Sequence, residues 1–212
     1  MTRLTAVVVV TLVLYLGYTR IYMRPSVVAR GQELEASGEP QQAALTSPEV
    51  MSVKFHGKSY LVEKLHCYEI TGEVLSLETY NVAFKSEFFD VDLGLIWGPR
   101  LAELKRKYSF NQGARWLFWS SDDPVPDEER RYITSHISNN HLIPAGGSRN
   151  LFKAIRWPSC GDKVRIKGCL VTIKNPSGDV LAASSTSRDD TGAGACEVIL
   201  VDEIQINTAV YR

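Results

Sequence analysis

The sequence lacks the short motifs that identify redox, zinc or nucleotide-hydrolysing enzymes. Four cysteines and four histidines occur among its 212 residues. None of the cysteines shows CxxC spacing, which argues against thioredoxin-like chemistry and a zinc ribbon. The HExxH and GxxxxGK[ST] patterns are also missing, so a helical pair of zinc-binding histidines and a phosphate loop are unsupported. We therefore predict no cofactor and no metal site.

Acidic residues are absent from the first 31 positions. The charges in that stretch are all basic, at Arg3, Arg20, Arg24 and Arg30. They leave 20 basic against 24 acidic residues in the remainder, although the whole chain has a formal net charge of zero. Nucleic-acid binding depends on clustered lysine and arginine that neutralise phosphates. The acidic remainder therefore argues against nucleic acid as a partner.

A charge-free apolar run, Leu4 to Tyr18, lies near the N-terminus. Extended as a helix to Met23, it reaches about 30 Å, the thickness of the hydrocarbon core of a membrane. No convincing small-x-small cleavage site follows it. We therefore predict an uncleaved signal anchor over residues 1–24, which inserts residues 4–23 as a single-pass transmembrane helix into the cell (inner) membrane.

The rest of the chain divides into a linker and one domain. Residues 25–48 are polar from Gly31 onward, with scattered Gly, Pro, Ser and Gln, and predict a flexible linker. Residues 49–212 have the length of one globular domain. Positive-inside counting favours a cytoplasmic domain, whereas a short charged start before an apolar run is typical of export signals. Of these two, we favour the periplasmic side.

Period-two alternation of apolar and polar residues predicts most of the strands. It is clearest from Tyr68 to Val74, from Val164 to Ile173 with a change of parity that indicates a bulge, and in the aliphatic run 197–206. Helices are predicted after Leu101, after Pro126, and after Ser148 as a serine cap. The predicted fold class is α+β, mainly β: a small OB-like β-barrel with two or three short helices, following the N-terminal transmembrane helix.

Two resemblances accompany this reading. The segments YEITGEVLSLE, GDKVRIKGCLVTI and CEVILVDEIQI resemble the first, fourth and fifth strands of an OB-fold barrel. The whole layout resembles uncharacterised bacterial proteins with an N-terminal membrane anchor, on the segments Trp97-Gly98-Pro99, Asn139 to Ala145 and Ser187 to Glu197. These resemblances imply a fold and an envelope location, and they imply no activity.

The four cysteines allow disulfides if the domain is exported. Cys160 and Cys169 flank a predicted strand and lie about 30 Å apart when extended, beyond the reach of a disulfide. One pairing then joins Cys67 with Cys169, which an OB order places on neighbouring strands, and Cys160 with Cys196. Four free thiols are the alternative.

Candidate site residues are few. Asp90 and Asp92 share one side of a predicted strand and could bind a cation or act as an acid–base pair. The alternative, which we favour, is that both side chains belong to a solvated strand face. Candidate binding residues lie in two polar turns and among the tryptophans; they are Asn139, Asn140, His141, Arg188, Asp189, Asp190, Trp97 and Trp116.

These features lead to three hypotheses. The first is a membrane-tethered, non-enzymatic binding or assembly module whose partner is another protein of the bacterial envelope. The second is a hydrolase that uses Asp90, Asp92 and His141. The third is an OB-like binder of oligosaccharide or single-stranded nucleic acid. We expect a binding module rather than an enzyme, because no catalytic set of residues is evident in the sequence.

Overall fold

The computed structural model describes residues 3–55, 57–80, 89, 91–187 and 196–212. The described strands are β1 (Ala29–Arg30), β2 (Gln41–Phe55), β3 (Lys58–Thr79), β4 (Val91–Ile96), β5 (Ser109–Gly113), β6 (Trp116–Ser120), β7 (Ile137–Pro144), β8 (Lys163–Lys174), β9 (Val180–Ala183), β10 (Glu197–Ile206) and β11 (Ala209–Tyr211). The described α-helices are α1 (Arg3–Gly17), α2 (Leu101–Lys107), α3 (Asp127–Ser135) and α4 (Arg149–Ala154). A π-helical turn, Tyr18–Tyr22, follows α1, and a 3-10 turn, Ala145–Gly147, precedes α4.

Nine of the described strands belong to one sheet, and β5 and β6 form a separate hairpin. Strand β10 pairs on both sides, in parallel with β7 and antiparallel with β8. Because β8 also pairs with β3, β3 with β4, and β4 with β7, these pairings form a ring of five strands within the larger sheet. The largest cluster of buried apolar residues comes from these five strands, α4 and their neighbours.

The sequence correctly predicts a mainly β chain, and the structure has about 50% strand and 20% helix. The finer prediction of the fold class, a small OB-like barrel behind a transmembrane helix, is wrong. In the described residues the sheet as a whole is not a small closed barrel, since β1, β2 and β9 each pair with one neighbour only. The three short helices α2, α3 and α4 lie where the sequence predicts helices. The barrel was predicted from the strands with strong alternation, which leave out the short strands β1, β9 and β11.

The predicted membrane anchor is also wrong. Among the described residues, no helix is long and apolar enough to cross a membrane. Helix α1 has 15 residues, or about 22 Å, and passes at Tyr18 into the π-helical turn. This finding overturns the anchor over residues 1–24 and the predicted single-pass location in the cell (inner) membrane.

The segment predicted to be a flexible linker, residues 25–48, makes specific contacts with the sheet. Strand β1 pairs with β11, and Gly31 N donates a hydrogen bond to Thr208 O at 2.8 Å. Leu34 and Ala36 are buried, and β2 begins at Gln41. Its polar composition misled the prediction, because the backbone groups of this segment find partners in distant strands.

The local predictions agree better with the structure. The strand predicted from Tyr68 to Val74 lies within β3, and the bulged strand from Val164 to Ile173 lies within β8. Ser148 caps α4, as predicted, by accepting a hydrogen bond from Leu151 N at 3.2 Å. The alternation of residues in a strand and the capping residue of a helix can therefore be predicted here from short stretches of sequence.

Gly168 allows β8 to approach β10 closely. A Cβ atom at this position would lie 2.0 Å from Leu200 O, so any side chain would force the two strands apart. We expect Gly168→Ala to lower the free energy of unfolding by about 1–3 kcal/mol, measured by chemical denaturation. Gly38→Ala is the matched control, since a Cβ there meets no atom within 4 Å. Equal stability of the two variants would contradict this account.

Candidate functional site

A buried carboxylate, Asp92, is the centre of a polar cluster that draws side chains from several parts of the chain. Its side chain on β4 has no exposed surface. A buried charge is costly unless donors surround it. Three donors reach Asp92: His141 Nδ1 at 2.6 Å and Arg115 Nη1 at 3.0 Å both reach Oδ1, and the Tyr80 hydroxyl reaches Oδ2 at 2.8 Å. The carboxylate therefore gathers an imidazole, a guanidinium and a phenol.

Strand register explains why Asp92 and His141 meet. Strands β4 and β7 are antiparallel, with Asp92 directly opposite His141 and Gly94 opposite Asn139. Directly opposite side chains project from the same face of a sheet. Strand β10 lies on the other side of β7, in parallel, and Cys196 immediately precedes it. The three strands thus bring residues distant in sequence to one face.

Tyr80 supports the carboxylate from the segment that follows β3. Burial and the nearby carboxylates of Asp92 and Glu78 raise the pKa of the Tyr80 hydroxyl well above its usual value. The phenol therefore stays protonated and serves as a donor. Its oxygen also accepts a hydrogen bond from Arg115 N at 3.3 Å.

Arg115 reaches the site from a strained turn. The two residues that join β5 to β6, Ala114 and Arg115, have φ values of 51° and 74°, a left-handed conformation that non-glycine residues rarely adopt. Such a two-residue turn usually contains Asn-Gly. The guanidinium lies 3.7 Å from the ring centroid of Tyr80 and 4.7 Å from that of Phe89. These contacts, with the ion pair to Asp92, offset the cost of the turn.

His141 is held in one orientation. Its ring stacks on Phe89 with centroids 4.6 Å apart and planes inclined by 11°. Burial works against its charge and lowers the pKa, but hydrogen bonds to Asp92 and Cys196 outweigh burial, so the pKa of His141 rises from 6.5 to about 9. Because Nδ1 is bonded to Asp92, the nitrogen that remains for Cys196 is Nε2.

The thiol of Cys196 is partly exposed and lies near two polar side chains. The side-chain amide of Asn139 donates to Cys196 Sγ at 3.4 Å, and His141 is close enough for Cys196 to contribute to its raised pKa. The amide cannot rotate freely, because its Nδ2 also donates to Arg115 O at 2.7 Å and its Oδ1 accepts from Gln112 Nε2 at 2.7 Å. The orientation of Asn139 therefore directs an N–H group towards the sulfur.

Cys196, His141 and Asp92 together form a nucleophile, a base and a residue that orients the base. A thiol becomes a strong nucleophile when an adjacent imidazole takes its proton. A carboxylate on the far nitrogen of the imidazole holds the ring in place and stabilises its positive charge. The arrangement therefore has the parts required for nucleophilic attack on an electrophilic carbon.

The structure brings together some of the residues predicted from sequence and separates others. Asp92, His141 and Asn139 belong to the site, so the interpretation of Asp92 as part of a solvated strand face is wrong. Asn140 is buried and donates to Leu93 O at 2.9 Å. Trp97 is buried, with Nε1 donating to Glu39 Oε2 at 3.3 Å. The predicted residues Asp90, Arg188, Asp189 and Asp190 lie outside the described residues.

Trp116 follows Arg115 directly in the hairpin β5–β6, and 39% of its surface is exposed. The structure holds Cys67, Cys160, Cys169 and Cys196 as free cysteines. Cys160 donates to Leu75 O at 3.3 Å, whereas Cys196 contacts Asn139, so this predicted disulfide pair has two separate environments.

Sequence reasoning missed three members of the site. Tyr80 and Arg115 belong to no motif, and Cys196 was considered only as half of a disulfide. A possible signal for Cys196 was its position immediately before a strongly predicted strand, since reactive groups are often placed at strand ends next to loops.

Within the described part of the chain, no group of three or more His, Cys, Asp or Glu residues could hold a metal ion. Comparisons with protein-family models, with curated proteins and with solved structures find no match for this chain.

The raised pKa of His141 predicts a stability that depends on pH. A group whose folded pKa lies above its unfolded value stabilises the fold fully below the unfolded value, and this contribution is lost as pH rises through the folded value. Stability should therefore fall between pH 6.5 and about 9, by at most about 3 kcal/mol. Chemical denaturation across this range, with His141→Gln as the comparison, measures the effect. An equal slope in both proteins would contradict it.

Proposed function

We propose that this protein is a hydrolase or acyl transferase that uses Cys196 as its nucleophile and acts on an ester, thioester or amide. The observation that supports this most directly is the buried bond of 2.6 Å between Asp92 and His141, with Cys196 close enough to contribute to the raised pKa of the imidazole. The proposal keeps the hydrolase hypothesis for Asp92 and His141 and replaces Asp90 with Cys196. A carbonyl substrate fits because the acceptor of a thiolate must be an electrophilic carbon.

Two protons pass through His141, one in each half of the reaction. In the reacting form the thiol proton resides on His141 Nε2, and Cys196 Sγ attacks the carbonyl carbon and forms a tetrahedral intermediate. The intermediate collapses to a thioester, and the leaving group departs with the proton from His141. Water then attacks the thioester and gives its proton to His141, which returns it to the sulfur as the acid is released.

Asp92 and Asn139 assist without changing protonation. Asp92 accepts the Nδ1–H of His141, so the imidazolium that forms in each step faces a fully buried carboxylate. Asn139 donates to the sulfur, and a donor to an anion is stronger than a donor to a neutral group. Both contacts stabilise the charges that develop on the imidazole and on the sulfur during the reaction.

Hydrolysis of a panel of activated esters and thioesters tests the proposal. Cys196→Ala should remove the activity, and His141→Gln should lower it by at least about 100-fold, because the thiol then lacks its base. Cys160→Ser is the matched control, since Cys160 is an exposed thiol bonded to a backbone carbonyl rather than to an imidazole.

Thermal unfolding of each variant separates chemistry from stability. Asp92→Asn is less informative, because it also removes the partner of Arg115 and is expected to destabilise the fold by about 3–5 kcal/mol. Activity that survives in folded Cys196→Ala would contradict the proposal, as would equal losses in the Cys196 and Cys160 variants.

The non-enzymatic binding or assembly role stays a prediction, as does binding of oligosaccharide or single-stranded nucleic acid. The contacts of the described residues bear on neither. Trp116 is the residue on which they could both depend, since it is a predicted binding residue and a partly exposed aromatic side chain.

A further inference from the structure

Two cysteines outside the candidate functional site lie directly opposite each other. Cys67 on β3 and Cys169 on β8 are partners in antiparallel register. Side chains at such positions project from the same face, with Cα atoms about 4.5–5.5 Å apart. Disulfides join cysteines whose Cα atoms are typically about 4.4–6.8 Å apart, which neighbouring strands satisfy. The register therefore permits a bond between the two sulfurs without a change of strand pairing.

The two thiols differ in their access to solvent. Cys67 is exposed, whereas Cys169 is buried, with 7% of its surface exposed. Burial raises the pKa of Cys169 to about 11; the nearby Lys64 ammonium lowers it, and Asp202, Cys67 and Glu49 raise it. An external reagent therefore meets Cys67 first, while Cys169 is protected until a bond partner is placed beside it.

A surface cavity of about 470 Å³ gives access to the exposed thiol. Cys67 lines it together with Gln42, Lys167 and Asp202. A small thiol-reactive molecule could occupy this volume next to the sulfur. The charged side chains of the wall are Lys167, Glu69 and Asp202, and Lys167 is paired with Glu69 at 3.3 Å.

We propose that Cys67 and Cys169 form a thiol–disulfide exchange site for a low-molecular-weight disulfide. The Cys67 thiolate attacks one sulfur of the reagent, forms a mixed disulfide and releases the first thiol. The Cys169 thiolate then attacks the Cys67 sulfur and releases the second thiol. The protein loses two electrons and two protons, and the reagent is reduced to two thiols. This site is independent of the proposed hydrolase activity.

The resulting bond would join two strands that lie about 100 residues apart in the sequence. Closing a loop of that length restricts the unfolded chain strongly. Since the register of β3 and β8 already matches, the oxidised protein should unfold at a temperature higher by roughly 5–15 °C.

Incubation of the full chain with oxidised glutathione, followed by peptide mass mapping, tests the exchange. In the wild type we expect a Cys67–Cys169 disulfide and little mixed disulfide at Cys67. Cys169→Ser should accumulate the mixed disulfide at Cys67, and Cys67→Ser should leave Cys169 unmodified. Cys160 is the internal control, an exposed thiol that should retain a mixed disulfide if it reacts.

The charges around Cys169 supply a second arm of the test. Asp202→Asn removes a negative charge that disfavours the thiolate, so the second step should accelerate at pH 8; Lys64→Gln should slow it. Persistence of the mixed disulfide at Cys67 to the same extent in wild type and Cys169→Ser would overturn the proposal. So would a preferred bond between any other two cysteines. Neither result bears on ester hydrolysis, which is measured with reduced protein.

Discussion

The candidate site depends on the cost of burying one negative charge. Asp92 has no exposed surface, and a charge in that position is tolerated only where donors surround it. This requirement explains why a hairpin turn adopts an unfavourable backbone to deliver Arg115, why Tyr80 stays protonated, and why His141 has a raised pKa. The proposed role of His141 as the base for Cys196 therefore depends on the same constraint.

Sequence patterns predict what depends on near neighbours. The alternation in β3 and β8 and the serine cap at Ser148 were readable, because each depends on residues a few positions apart. The membrane anchor was predicted from apolar composition, whereas the helix that forms is 15 residues long and ends in a π-helical turn. The role of residues 25–48 was missed because their partners lie at the far end of the chain, in β11 and near Thr208.

The candidate site could not be predicted as a whole for the same reason, because its residues are distant in the sequence. Asp92 and His141 were named separately from their residue types, but they meet because β4 and β7 pair in one register across 49 residues. A shift by one residue would place them on opposite faces. Cys196 lies directly before a third strand, β10, so its position near His141 depends on two registers at once. No local spacing records such a relation, which explains why the cysteine was considered only for disulfides.

The central claim is that His141 activates Cys196. The most direct measurement is the rate of alkylation of each cysteine by iodoacetamide at pH 7, resolved by peptide mass spectrometry. We predict that Cys196 reacts at least about tenfold faster than the exposed Cys160, and that His141→Gln removes this difference. If Cys196 reacts no faster than Cys160, or if its rate is the same in wild type and His141→Gln, the thiol is not activated and the account is contradicted.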